Sequence, residues 1–186
     1  MIFAPLKRTA PLLLLAVSVL ALSACAILQR GPVGNAETPQ PSKAVDLSRY
    51  AGLWYEVGRY ENSFERGCEA VTAEYSLRED GLVRVVNACR RGGVEGPVKS
   101  VEGKAKIVAG SRNAKLKVSF FGPFYGDYWI LDHADDYSWS IVGEPSGRYL
   151  WLLSRTARPS AEARAKIMNR TAALGYDLTL LHETQH

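Results

Sequence analysis

The nonapeptide Gly52-Leu53-Trp54-Tyr55-Glu56-Val57-Gly58-Arg59-Tyr60 is the first of a series of short extended runs, and the fold is read outward from it. Side chains alternate along a strand, so a period of two from Trp54 puts Trp54, Glu56, Gly58 and Tyr60 on one face. Similar runs follow at 71–77, 82–89, 101–108, 114–121, 127–132, 137–143 and 149–155. Tight, turn-rich connections at 79–81, 110–113 and 133–136 alternate with longer ones at 61–70, 90–100, 122–126 and 144–148. The pattern predicts an all-β chain, and eight antiparallel up-and-down strands close into a barrel that holds side chains or one small ligand. A flat sandwich is the other arrangement of the same strands.

One helix follows the last run. Ser160, after Pro159, is an N-cap for a stretch from Ala161 to Leu174, and Gly175 is its terminator. Ala163, Ile167, Met168, Thr171 and Leu174 form its apolar stripe, a surface for packing on a sheet. A short final strand is expected within 176–182.

The first residues read as an address. Lys7 and Arg8 precede an apolar core over 11–22, broken only by Ser18, too short for a comfortable membrane span and suited to a secretory signal over 1–24. It ends Leu22-Ser23-Ala24-Cys25, which resembles the bacterial lipoprotein box, in which the cysteine is lipidated and becomes the new N-terminus. A plain secretory cleavage site is the alternative. Ala26 follows the cysteine, which by resemblance to enteric lipoproteins implies a periplasm-facing outer-membrane anchor in a bacterial envelope. Residues 25–45, with Gly31, Pro32, Gly34, Pro39 and Pro41, read as a flexible tether, leaving 46–186 as the globular part.

Composition narrows the function. The chain has 186 residues, 47% hydrophobic and 23% charged, with a formal net charge of +4 that includes Lys7 and Arg8 of the leader. No dense Lys/Arg stripe is present, so nucleic acid is not an expected partner. The three histidines (His133, His182, His186) and three cysteines lack the spacing of a metal site, and no G-x-S-x-G element occurs. No metal and no cofactor are expected, and the protein is read as a binder and not an enzyme.

The sequence resembles the lipocalin family. Gly52-x-Trp54 opening the first barrel strand and Arg155 closing the eighth are that family's signatures. The strings 52–60, 62–68, 120–126 and 149–156 are similar to those of the bacterial outer-membrane lipocalins, in order along the chain. The family's middle Thr-Asp-Tyr motif departs, reading Leu131-Asp-His-Ala-Asp-Asp-Tyr137 with extra length. The resemblance implies a lipocalin-like calycin barrel. Strand direction returns Arg155 to the end that holds Trp54, so a guanidinium stacked on an indole closes the bottom. The longer loops then form the mouth. Cys68 starts strand two and Cys89 ends strand three, and in an oxidising compartment the pair forms a disulfide. Two reduced thiols are the alternative.

Alternation anchored at Trp54 and Arg155 predicts a cavity lined by Glu56, Tyr60, Tyr75, Val85, Asn87, Phe120, Tyr128, Trp139 and Trp151, with Gly58, Ala73, Gly103 and Ala105 leaving room. The expected ligand is a single-chain amphiphile, a fatty acid or lysophospholipid, stored or transported in the envelope. A filled structural barrel, a tetrapyrrole binder with a tyrosine ligand, and a lipid-modifying enzyme are the competing readings. Trp129 and Leu150 point outward, where they mark either a homodimer patch or the seat of the helix.

Overall fold

The computed structural model describes residues 32–186. The expected secretory leader and the expected lipidation site at Cys25 lie outside them. Eight strands, β1 (Gly52–Tyr60), β2 (Cys68–Leu77), β3 (Val83–Arg91), β4 (Val98–Ile107), β5 (Lys115–Ser119), β6 (Gly126–His133), β7 (Trp139–Gly143) and β8 (Leu150–Ser154), each pair antiparallel with the next. β1 pairs with both β2 and β8, which closes the sheet into a barrel and excludes the sandwich. A two-residue β9 (Leu181–His182) adds to β1 at Arg59 and Tyr60.

The closed end carries a helical turn that the strand pattern does not reveal. In α1 (Leu47–Tyr50), the Asp46 carboxylate caps the turn by accepting from the Ser48 and Arg49 amides at 2.9 and 3.3 Å. The turn delivers Tyr50, almost wholly buried, into the base of the barrel beside Trp54, with ring centroids 5.0 Å apart. α2 (Ala161–Ala173) starts at the expected cap, where Ser160 Oγ accepts from the Ala163 amide. It buries Ile167 and Thr171.

The barrel therefore has two apolar layers. Inside lie Trp54, Tyr75, Val83, Val85, Ala105, Leu116, Ile130, Val142 and Leu153. Between barrel wall and helix lie Val57, Tyr60, Leu131, Ile141, Leu150, Leu152 and Ile167, with Trp129 and Trp139 packed against them. Leu150 thus belongs to the seat of the helix, not to a dimer patch. The outer polar face is solvated, with ion pairs Arg84–Glu102 at 2.6 Å and Lys117–Asp127 at 2.8 Å.

One β-bulge and one turn correct the expected alternation. The register of β1 against β8 shifts between Glu56 and Gly58, which inserts Val57 as an extra outward residue. Beyond that point the phase reverses: Arg59 turns inward and Tyr60 outward, its hydroxyl donating to the Asp177 carbonyl at 2.9 Å. β7 begins at Trp139, because Tyr137 sits in a turn with φ +62°. Ser140 and Val142 then face the interior, while Trp139 and Ile141 face the helix layer. Tyr60 and Trp139, both expected in the cavity, are outside it.

Cys68 and Cys89 form a disulfide with Cα atoms 5.5 Å apart. Cys68 is opposite Arg91 in the ladder, and the register slips between Glu69 and Thr72, with Ala70 at φ +48°. This irregularity absorbs the offset between the two cysteines.

The expected tether is not free throughout. Residues 34–45 run along the outside of the barrel: the Gly34 and Asn35 amides donate to the Gly147 carbonyl at 3.0 and 3.2 Å, and Asn35 Nδ2 donates to the Leu174 carbonyl. Lys43 reaches the His133 carbonyl at 2.8 Å and Asp135 at 2.9 Å, and the Val45 amide meets the Arg112 carbonyl. Each of these contacts satisfies backbone or charge that a solvated linker would leave to water.

A candidate ligand cup in the upper barrel

The closed end is sealed from both sides. Arg155 lies 3.7 Å over the Trp54 ring and donates to the carbonyls of Arg49, Tyr50, Ala51 and Leu53 at 2.7 to 3.1 Å. Trp54 Nε1 donates to the same Tyr50 carbonyl at 2.8 Å. Gly52 has φ +92°, so the signature glycine is required by the backbone, while a Cβ there would make only ordinary contact with the guanidinium at 3.5 Å.

Above this floor runs a chain of hydroxyls. Tyr50 Oη lies 3.2 Å from Ser140 Oγ and 3.1 Å from Tyr128 Oη, which lies 2.7 Å from Tyr75 Oη. Burial pushes the Tyr50 phenol up to about 12 and raises Tyr75 and Tyr128 further from their ordinary value. All three stay neutral at physiological pH and act as hydrogen-bond donors and acceptors.

Nearer the mouth, Glu56 and Arg59 form a buried ion pair at 2.9 Å. The guanidinium also reaches Glu61 at 3.0 Å, and Thr184 joins Glu56 and Arg59. Desolvation, followed by the nearby Glu65 charge, raises the Glu56 carboxyl to about 8 against the pull of Arg59. Glu65 accepts from Trp151 Nε1 at 2.9 Å and from Asn62, which fastens the connection between β1 and β2 onto the barrel wall. Phe64 in that connection stacks on Tyr149 with ring centroids 5.8 Å apart and lies tilted against Trp151 at 6.4 Å.

Burial changes from bottom to top. Val85, Leu116 and Ile130 are at most 2% exposed, whereas inward-facing Asn87, Val118, Phe120, Tyr128 and Trp151 keep accessible surface. The lower half is a packed core; above it the inward side chains of β3, β5, β6 and β8 are partly exposed, while Glu56 and Arg59 of β1 stay buried. The space that Gly103 leaves is taken by Phe120: a Cβ there would stand 2.6 Å from the Phe120 ring. Asn87 Oδ1 on the wall is buried with no hydrogen-bond partner, which costs free energy unless a donor arrives.

Of the nine expected cavity residues, Glu56, Tyr75, Asn87, Phe120, Tyr128 and Trp151 come together, Val85 lies in the packed half, and Tyr60 and Trp139 face the helix layer. Alternation missed Tyr50, Arg59 and Glu65. The Asp46-x-Ser48 cap is a readable signal for Tyr50; the bulge that turns Arg59 inward and the loop that carries Glu65 leave none in a single sequence.

Comparison with known proteins agrees with this architecture. The lipocalin-like domain family matches residues 45–186. The chain is 43% identical over 160 residues to the outer membrane lipoprotein Blc of Vibrio cholerae, covering 84% of this chain and 92% of that protein. It is 40% identical over 148 residues to the Blc lipoprotein of Escherichia coli, covering 76% and 83% respectively. Insecticyanin of the tobacco hornworm superposes with a TM-score of 0.64 at 20% identity over 84% of this chain and 87% of that one, a likeness of fold alone. With its closed eight-stranded barrel, its Trp54–Arg155 closure and this match over almost the whole described chain, the protein belongs to the lipocalin family.

Proposed function

We propose that this protein is an envelope lipoprotein, acylated at Cys25 and held at the periplasmic face of the outer membrane, that takes one single-chain amphiphile into the upper barrel. The exposure of the upper wall carries this reading: Asn87, Val118, Phe120, Tyr128 and Trp151 keep accessible surface above the packed residues, and Asn87 carries an amide oxygen without a partner. The acyl chain lies against Phe120, Tyr128, Val118 and Trp151, and the headgroup meets Asn87 and the polar groups near the mouth. Binding derives mainly from apolar burial, about 25 cal/mol per Å² before association costs. The names of the Blc relatives support the outer-membrane lipoprotein part.

Binding without catalysis suits the histidines. His133 is at the closed end, its two ring nitrogens 2.8 and 3.2 Å from the Ala134 and Ala44 carbonyls. His182 pairs with Glu69, and His186 meets the Glu56 carbonyl. Neutral phenols are also poor axial ligands, which disfavours a tetrapyrrole.

Titration with a fluorescent fatty acid, followed by competition with lysophospholipid, tests the reading. Saturable one-to-one uptake that Asn87→Trp reduces at least tenfold supports it. Absence of uptake of either amphiphile sinks it and leaves the filled structural barrel.

A further inference from the structure

The largest exposed apolar side chains gather at the mouth. Phe121 and Phe124 are 76% and 78% exposed in the connection between β5 and β6, and Phe64 is 56% exposed in the connection between β1 and β2. Val98, 60% exposed, opens β4 at the same end. At the closed end the exposed large hydrophobics are aliphatic: Leu53, Leu77 and Ile107. Soluble proteins leave such aromatic groups uncovered where another surface meets them.

The path of the chain says which surface. Gly34 and Asn35 are fastened to Gly147, in the mouth-side connection between β7 and β8, and only further along does the segment reach Arg112 and His133 at the closed end. The attachment to Gly147 is tight, since a Cβ at Gly147 would stand 1.7 Å from the Asn35 carbonyl oxygen. The described chain therefore begins at the mouth. Only residues 26–31 separate Pro32 from Cys25. Fully extended, at about 3.3–3.6 Å per residue, that stretch reaches about 25 Å.

We propose that the mouth of the barrel docks on the bilayer that holds the anchor, with Phe121 and Phe124 inserted among the acyl chains and the cup opening toward the lipid. This rests on acylation of Cys25 for the tethering, whereas the phenylalanines contact the bilayer independently. Aromatic side chains suit the boundary between headgroups and acyl chains. A cup facing the bilayer receives a single-chain lipid without passage through water.

The test uses the full chain in vesicles of phosphatidylethanolamine and phosphatidylglycerol carrying brominated acyl chains, which quench tryptophan at contact. Phe124→Trp places a reporter at the mouth and Leu77→Trp one at the closed end, both on exposed positions. Intact mass reports separately whether Cys25 is acylated. The proposal expects the added emission of Phe124→Trp to be quenched at least twofold and that of Leu77→Trp to be unaffected. It also expects the Phe121→Asp/Phe124→Asp pair to lower vesicle retention of the unacylated Cys25→Ser chain by about tenfold. Quenching at position 77, at both positions equally, or at neither overturns the proposal, whatever the mass shows. A sedimenting dimer in which Phe124→Trp is shielded from bromine assigns the patch to a second copy, and also overturns it.

Discussion

The guanidinium carbon of Arg155 lies 3.7 Å from the centre of the Trp54 ring, and the two residues join the last barrel strand to the first. The same guanidinium caps the carbonyls that end α1. A cation on an indole contributes about 0.5–2 kcal/mol, and hydrogen bonds to a charged group about 1.5–3. Arg155→Ala is expected to lose about 2–4 kcal/mol in urea unfolding, and Arg155→Lys to recover less than half, because a point charge cannot span four carbonyls and a ring face. A loss below about 0.5 kcal/mol would remove the closure role.

Removing Arg59 leaves Glu56 buried without a cation. Above about pH 8, where the Glu56 carboxyl is ionised, breaking such a pair costs about 3–5 kcal/mol, so Arg59→Met is expected there to be among the most destabilising single changes in the barrel. The check is its urea midpoint above that pH beside that of Glu56→Gln, which removes the charge and should cost less.

The Glu56 carboxyl stands at about 8 in the folded barrel against an ordinary 4.5. The folded state therefore holds this proton more tightly than the unfolded chain. The resulting stability is fully present below about pH 4.5 and is lost as pH rises through 8. Unfolding midpoints should fall over that window in the parent and flatten in Glu56→Gln. Equal slopes would show that the carboxyl is ionised throughout.

The disulfide between Cys68 and Cys89 spans 21 residues of sequence. A loop of that size constrains the unfolded chain by about 3 kcal/mol. Replacing both cysteines with serine should lower stability by that order, and reductant should produce the same drop in the parent and none in the variant.

How much of this was legible in the sequence follows from which forces are local. Strand alternation carries Tyr75, Val85, Asn87, Phe120, Tyr128 and Trp151 inward, because the register shifts in β2 (between Glu69 and Thr72) and β6 (between Ile130 and Asp132) fall outside the stretches that hold Tyr75 and Tyr128. The Ser160 cap and Gly175 stop are equally local. Tyr60 and Trp139 fail for one reason: a single extra or displaced residue flips every later side chain, and neither the Val57 bulge nor the Tyr137 turn marks itself in composition. The docked path of residues 34–45 depends on carbonyls distant in sequence, from Arg112 to Leu174, which Pro and Gly content cannot reveal.

Phe64 and Glu65 hold the connection between β1 and β2 against Tyr149 and Trp151. An aromatic stack contributes about 0.5–1.5 kcal/mol, so Phe64→Ala should speed both uptake and release of a fluorescent fatty acid, up to about tenfold. Stopped-flow traces measure both rates. Unchanged rates would place the route elsewhere.

The central claim is that the upper barrel holds a single-chain lipid. Native mass spectrometry of the secreted Cys25→Ser chain, with lipid extraction from the same sample, tests it most directly. The account predicts a one-to-one adduct of a monoacyl lipid in the parent and its loss in Asn87→Trp at unchanged fold. An adduct-free parent that also refuses added lysophospholipid and fatty acid would contradict it.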